Sequence, residues 1–245
     1  MAPKAKHPKP HPPRPVRSTQ SSNPHDRRNG LLPYILDPSS FPPSTVIRHT
    51  EHTVLIRDQF PKATVHLLLL PRDLTKSILH PHQAFSDSGF LHLMRSEAAV
   101  AVRLAASELS RLIGPCSKSS QARLEAMESV DPPDPLPAGR DFSRDLRVGV
   151  HAHPSMNHLH IHIISRDMHS DWLKHRKHYN SFNTDFFLPL ADFPLAEDDE
   201  RQDVRYQNAN LKKDLQCWRC GKNFGNKFKE LKDHLEVEFE EWRKE

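Results

Sequence analysis

One stretch decides the fold: Val150-His151-Ala152-His153-Pro154-Ser155-Met156-Asn157-His158-Leu159-His160-Ile161-His162-Ile163-Ile164-Ser165. From His158 onward, histidine alternates with leucine or isoleucine, and a period of two predicts a β-strand. The side chains of His158, His160 and His162 then share one face, with the apolar residues packed behind them. Each neutral imidazole requires both a donor and an acceptor partner, so three aligned imidazoles are poor core material and predict a functional surface.

Three interpretations of this surface are open from the alternation alone. The histidines could be the solvated face of an amphipathic strand. They could bind zinc, because His-x-His on a strand can supply two ligands. They could also catalyse substitution at phosphorus, in which one imidazole attacks while its neighbours orient it, hold phosphate oxygens or protonate the leaving group.

The pattern His-φ-His-φ-His-φ-φ, where φ is apolar, resembles the signature of the histidine-triad (HIT) nucleotide hydrolases and transferases, which favours the third interpretation. The flanking residues resemble the aprataxin branch of that superfamily, the DNA-adenylate hydrolases. The segments that carry this second resemblance are 58–72, 151–157 and 177–184. The similarity covers about residues 30–245, with a divergent patch near 114–143.

The resemblance implies an α+β fold, with a HIT domain of antiparallel sheet and covering helices followed by a small C-terminal zinc finger. It also implies that the substrate is a DNA nick or end carrying 5′-AMP. In that chemistry His160 attacks the AMP phosphorus and forms a covalent nucleotidyl-histidine. His158 and His162 orient it and hold phosphate oxygens, His151 protonates the departing DNA phosphate, and water releases AMP.

Four further residues are expected to bind substrate. By resemblance Lys62 and His66 line the nucleotide site, although Lys62 could be an ordinary surface lysine and His66 a hydrogen-bonded core histidine. Ser155 would add a donor to the developing charge. Lys177 belongs to the basic segment 166–178, which suits a nucleic-acid backbone or forms a solvated helix face.

The C-terminal region has the spacing of a zinc finger. Cys217-Trp-Arg-Cys220 forms a tight knuckle, and His234 and Glu238 lie at i and i+4 on a predicted helix over 228–242. Two thiolates, one imidazole and one carboxylate suit a tetrahedral, structural Zn²⁺. Glu238 stands where a Cys2His2 finger has its second histidine, which resembles the fungal aprataxins. One zinc per chain and no catalytic metal are expected.

The amino-acid composition argues against a disulfide-rich protein and against a membrane protein. The odd cysteine count, 3, with one Cys-x-x-Cys pair favours metal binding in a reducing compartment over a disulfide framework. Cys116, the third cysteine, has no assigned role. No run of about eighteen apolar residues occurs, so no membrane partner is expected. The formal net charge is +4, but the first thirty residues alone carry +6 (seven Lys or Arg and one Asp), so the rest of the chain carries −2.

The expected domains are a disordered basic tail at 1–29, a HIT catalytic domain at 30–196 with a flexible insertion at 114–143, and a linker helix with a zinc-finger DNA-binding module at 197–245. We expect a nuclear monomer that binds DNA ends or nicks and releases AMP. Two rival functions are open: a generic nucleotide phosphoramidase or dinucleotide hydrolase, and a non-catalytic DNA-end binder.

Overall fold

A six-stranded antiparallel sheet forms the centre of the fold. The structure is a computed structural model and describes residues 26–245. The six strands are β1 (Val46–His49), β2 (Thr53–Arg57), β3 (His66–Pro71), β4 (Leu146–His151), β5 (Ile161–Ser165) and β6 (Phe187–Pro189). Their spatial order is β1-β2-β3-β5-β4-β6, so β3 and β5 are central and are buried along their whole length. The predicted antiparallel sheet is confirmed.

The triad segment differs from the sequence prediction at its start. The strand β5 begins at Ile161, so His158 and His160 precede it rather than lying within it. Two contacts explain the difference: the His160 ring nitrogen Nδ1 lies 2.8 Å from the carbonyl oxygen of His158, and the N–H of Leu159 donates to Ser77 at 2.6 Å. These bonds take residues 158–160 away from the ladder. The three rings remain buried, at 4–5% exposure.

Eight helices surround the sheet in the described part of the chain. They are α1 (Leu32–Leu36), α2 (Leu74–Ser77), α3 (Pro81–Ala84), α4 (Ser88–Ile113), α5 (Lys118–Glu128), α6 (Arg176–Asn183), α7 (Val204–Asn210) and α8 (Phe228–Arg243). The long helix α4 buries one apolar stripe, with Met94, Ala98 and Ala105 almost fully excluded from water against the sheet. The opposite face of the sheet carries His66 and His162 and is partly covered by α6.

The predicted insertion at 114–143 is more regular than expected. Its 118–128 stretch forms the eleven-residue helix α5, because this segment is rich in residues of high helix propensity. The first backbone N–H groups of α5 donate to the carbonyls of Lys244 and Glu245, at 3.0 Å each. The insertion therefore contacts the end of helix α8.

The predicted tail at 1–29 lies mostly outside the described residues. Its last part belongs to the folded structure, because Arg27–Asn29 form a 3-10 helix. The N–H of Asn157 donates to the carbonyl of Arg28 at 2.9 Å, and its side-chain amide donates to Asn29 at 2.8 Å. This segment is held against the loop that precedes the triad, which a basic, proline-rich composition did not reveal.

The C-terminal module is packed on the sheet domain rather than tethered to it. It consists of the hairpin β7 (Leu215–Gln216) and β8 (Asn223–Gly225) followed by α8. Trp242 of α8 is only 1% exposed and belongs to the main core, and its Nε1–H donates to Asp145 at 3.0 Å. Within residues 26–245 no helix has the length and apolar character needed to cross a membrane.

Candidate active site and metal centre

A cavity of about 480 Å³ opens on the histidine-bearing face of the sheet, between α1 and α6. It brings together seven of the eight predicted catalytic and substrate-binding residues: Lys62, His66, His151, Ser155, His160, His162 and Lys177. The exception is His158, which lies outside the lining and meets the site through its backbone carbonyl bonded to His160. The phosphate contact predicted for the ring of His158 stays a prediction.

His160 is held in a form suited to nucleophilic attack. A carbonyl oxygen can only accept, so the bond to His158 requires the hydrogen of the His160 ring to be on Nδ1. The lone pair is then on Nε2. Burial lowers the pKa of His160 below its ordinary value of 6.5, which keeps the ring neutral near pH 7.

His162 is fixed in the opposite tautomer through His66. The backbone N–H of Lys62 donates to Nδ1 of His66 at 3.2 Å, so the hydrogen of the His66 ring is on Nε2. That group donates to Nδ1 of His162 at 2.9 Å, which leaves the hydrogen of His162 on its own Nε2. Asp58 also approaches Nδ1 of His66, but at 3.5 Å the contact is too long to be a good hydrogen bond.

This Nε2–H of His162 is buried and has no hydrogen-bond partner among residues 26–245. The ring centroids of His160 and His162 lie 4.9 Å apart. A phosphate placed against the nucleophile could therefore accept a hydrogen bond from His162. Burial lowers the pKa of His66 to about 4, so the chain of tautomers is neutral at physiological pH.

His151 lies on the other side of His162, with ring centroids 4.5 Å apart. Its Nε2 is buried and without a partner in the described chain. Burial lowers the pKa of His151 well below its ordinary value, and the neighbouring histidines and Lys62 add to this effect. Its use as an acid requires the negative charge of a bound substrate to raise that pKa again.

The remaining predicted contacts lie around the rim. The ammonium of Lys62 bends back onto the carbonyl of Phe60, and burial is the largest cause of its lowered pKa. Lys177 and Ser155 are exposed, and the carbonyl of Ser155 accepts from Arg28 at 3.3 Å. All three residues line the cavity, and the substrate contacts predicted for them stay predictions.

Sequence reasoning missed several lining residues. Leu31 and Tyr34 line the cavity beside Ile56 and Leu68. Asp58 lines it as well and faces His66. Nothing local in the sequence indicates these contacts, because they join α1, β2 and β3.

The four predicted metal ligands converge. The ligand atoms of Cys217, Cys220, His234 and Glu238 all lie within 4.8 Å of one another. The sulfur of Cys220 is 3.2 Å from Nε2 of His234, which is 3.0 Å from Oε1 of Glu238. The thiolate, imidazole and carboxylate donor set fits a structural zinc with no open position.

Arg219 lies between the two cysteines and braces this centre. Its Nη1 donates to Oε2 of Glu238 at 2.7 Å, and its Nη2 donates to Glu245 at 2.6 Å. The first bond is the largest cause of the lowered pKa of Glu238. Oε1 of Glu238 stays directed at His234, so Arg219 orients a metal ligand.

The comparisons with known proteins agree with this geometry. A HIT domain model matches residues 41–169, and a model described as a C2HE / C2H2 / C2HC zinc-binding finger matches residues 183–241. The fold and the two sites define a HIT-domain protein with a C-terminal zinc finger.

Two curated relatives and one solved structure narrow the class. An aprataxin-like protein of Saccharomyces cerevisiae is 38% identical over 86% of this chain and 95% of its own length. One of Schizosaccharomyces pombe is 33% identical over 88% and 82%. A structure of Hnt3 in complex with DNA and guanosine superposes with a TM-score of 0.67 at 32% identity, over 88% of this chain and 96% of that one. The chain belongs to the aprataxin family.

Proposed function

We propose that this protein is a DNA-repair hydrolase that removes 5′-AMP from abortively ligated, 5′-adenylated DNA ends. The observation that carries the proposal is the pair of opposite tautomers in the cavity. His160 presents a lone pair on Nε2, and His162 presents an N–H beside it. A nucleophile next to a donor suits substitution at a phosphorus atom.

In the first step Nε2 of His160 attacks the phosphorus of the AMP moiety. A P–N bond forms, and the bond from that phosphorus to the oxygen of the DNA 5′-phosphate breaks. The N–H of His162 would stabilise the charge on the non-bridging oxygens, supported by Lys62 and Ser155. Water then attacks the adenylyl-histidine, which releases AMP and returns His160.

His151 is proposed to protonate the departing DNA phosphate. Its position beside His162 supports this role. Its lowered pKa means that it accepts a proton only when the negative pyrophosphate is bound. The acid would thus be charged in the substrate complex and neutral in the free protein.

DNA binding is proposed to use the zinc finger together with the rim of the cavity. The Hnt3 structures in complex with DNA support this proposal. The lysines Lys212, Lys222 and Lys229 are exposed around the finger and can neutralise backbone phosphates. We propose that residues 30–196 are the catalytic unit, that residues 197–245 are the DNA-binding unit, and that the protein works as a nuclear monomer.

Incubation with 5′-adenylated nicked DNA tests the proposal. Wild-type protein should release AMP and leave a 5′-phosphate, whereas His160→Ala should lose far more than about a hundredfold of that activity. Hydrolysis of a small AMP phosphoramidate with no action on DNA would indicate the generic nucleotide hydrolase instead. Binding of adenylated DNA without any AMP release would indicate the end-binding protein.

A further inference from the structure

An exposed pair of aromatic rings lies beside the mouth of the cavity. Phe60 and Trp172 are 46% and 40% exposed, and their ring centroids are 4.8 Å apart in an edge-to-face arrangement. We call this pair the aromatic ledge. Two large rings in mutual contact on a surface form an apolar patch, whereas single exposed apolar side chains need no explanation.

The ledge is continuous with the cavity. Phe60 is itself a lining residue, and its carbonyl accepts a hydrogen bond from the ammonium of Lys62. The hydroxyl of Ser170 donates to the carbonyl of Pro61 at 2.5 Å and accepts from the N–H of Trp172 at 3.1 Å. These bonds tie the loop that holds Phe60 to the loop that holds Trp172, so the ledge is held in place beside the site.

Basic side chains lie beside the ledge, together with Asp58, whose carboxylate accepts from the N–H of Phe60 at 2.7 Å. The ammonium of Lys174 lies 4.3 Å from the centre of the Trp172 ring. Its charge also lowers the pKa of Lys62, after the larger effect of burial, which places it near the mouth of the cavity. Lys177 and His178 line the same side of the cavity. A polyanion that leaves the cavity past Phe60 would meet Trp172 next, because the two rings are in contact.

We propose that the aromatic ledge stacks the first nucleobase of the adenylated DNA strand when that base is unpaired. Aromatic rings next to basic side chains are the chemistry that binds single-stranded nucleic acid without reading its sequence. The ammonium of Lys174 would move from the ring to a backbone phosphate as a base takes its place. This inference rests on the proposed action on adenylated DNA.

The ledge would make the proposed reaction favour unpaired 5′ ends over paired ones. A base that is paired in a duplex is stacked on its neighbours and is not free to lie on Trp172. An unpaired base at the 5′ end, in a frayed or single-stranded substrate, is free to do so. We therefore expect Trp172 to contribute to the binding of single-stranded or frayed ends and not to the cleavage of small adenylates.

The experiment compares wild type, Trp172→Ala and Trp172→Phe on three substrates: a 5′-adenylated single strand, the same strand with an abasic first nucleotide, and a small AMP phosphoramidate. Leu112→Ala, which removes an exposed apolar side chain on the far helix α4, is the matched control. Trp172→Ala should raise KM for the adenylated single strand by about tenfold. Trp172→Phe should restore most of the affinity, and neither variant should change kcat or phosphoramidate cleavage.

The abasic strand makes the test specific. With it, wild type and Trp172→Ala should have the same KM, because no base is present to stack. An equal loss on the intact and abasic strands, or no loss on either, would overturn the ledge, and a protein bound there would then be the alternative occupant. If wild type releases no AMP from any DNA, the proposed function fails. Stacking is then tested separately by the tryptophan fluorescence that a plain 5′-phosphorylated strand quenches in wild type and not in Trp172→Phe, since the chain also contains Trp218 and Trp242.

Discussion

His66 shows how one buried residue decides the chemistry of another. It does not face the expected phosphate position directly, because both of its ring nitrogens are used by Lys62 and His162. The sequence allowed two alternatives for His66: a residue that lines the nucleotide site, or a hydrogen-bonded histidine of the core. The structure gives it both properties, since it is 4% exposed and lines the cavity.

The tautomer of His162 provides a test at this scale. His66→Gln should keep most of the activity, because an amide oxygen can accept from Lys62 while its NH2 group donates to His162. His66→Leu can do neither, so His162 loses its fixed orientation, and kcat should fall by at least about a hundredfold. Rates on a small AMP phosphoramidate measure the effect without any contribution from DNA binding.

Thermal melting of both variants supplies the control. If His66→Leu and His66→Gln unfold at similar temperatures but differ in kcat, then His66 acts by positioning the ring of His162. Equal activity in the two variants would contradict the tautomer chain and leave His66 as a packing residue.

At the scale of elements, the alternation at 158–164 predicted the strand but not its first residue. Periodicity shows only which side chains are apolar. It cannot predict the hydrogen bond from Leu159 to Ser77, which keeps residues before Ile161 out of the strand. The helix that carries His234 and Glu238 was predicted almost to the residue, because i, i+4 spacing is a local property. Local patterns could therefore be predicted from the sequence, while contacts between distant segments could not.

The metal centre predicts how zinc content changes when its ligands are substituted. Purified protein should contain one zinc per chain, and Cys217→Ser should lose it, because three ligands hold the metal far less well than four. Glu238→His should retain zinc, since an imidazole reaches the metal from the same helix face. Cys116→Ser is the matched control, because that cysteine lies outside the ligand group.

Elemental analysis of these variants also tests the alternative metal site. The ligand atoms of Asp58, His66 and His162 also lie within 4.8 Å of one another. A Cys217→Ser protein that keeps a full equivalent of zinc would place the metal at these residues, and that result would contradict covalent catalysis by the triad.

Residues 26–245 form a single packed body in which the finger completes the core. Arg140 donates to the carbonyl of Trp242 at 2.8 Å, and the hydroxyl of Tyr179 donates to the carbonyl of Gln216 at 2.8 Å. Removing the finger would delete Trp242 and expose the core residues that it packs against, so DNA binding is better tested by substituting finger lysines than by truncation. The sequence showed two modules in order, but it could not show that they share a core.

Buried neutral histidines make the stability of the molecule depend on pH. His66 has a pKa of about 4 in the folded state and about 6.5 when unfolded, so the unfolded chain binds more protons between these values. Stability is therefore full above pH 6.5 and falls as the pH drops toward 4. From His66 alone the loss at pH 5 is about 2 kcal/mol, and His151 and His162 add to it.

Melting temperatures measured from pH 7.5 to pH 5 provide the check. The wild-type value should fall steadily below pH 6.5, and His66→Gln should show a weaker dependence because one of these protons is removed. A melting temperature that stays constant down to pH 5 would show that the histidines are not held neutral in the folded protein.

Rapid quench into alkaline denaturant, in which a phosphorus–nitrogen bond survives, tests most directly whether His160 becomes covalently adenylylated. Wild-type protein is mixed with 5′-adenylated DNA, stopped within one turnover and digested, and the peptide that contains His160 is examined by mass spectrometry. We expect an adenylyl group on His160 that appears before AMP is released, and none in His160→Ala. AMP release at the full rate with no adenylylated protein at any time, or with the group on His158 or His162, would contradict the mechanism.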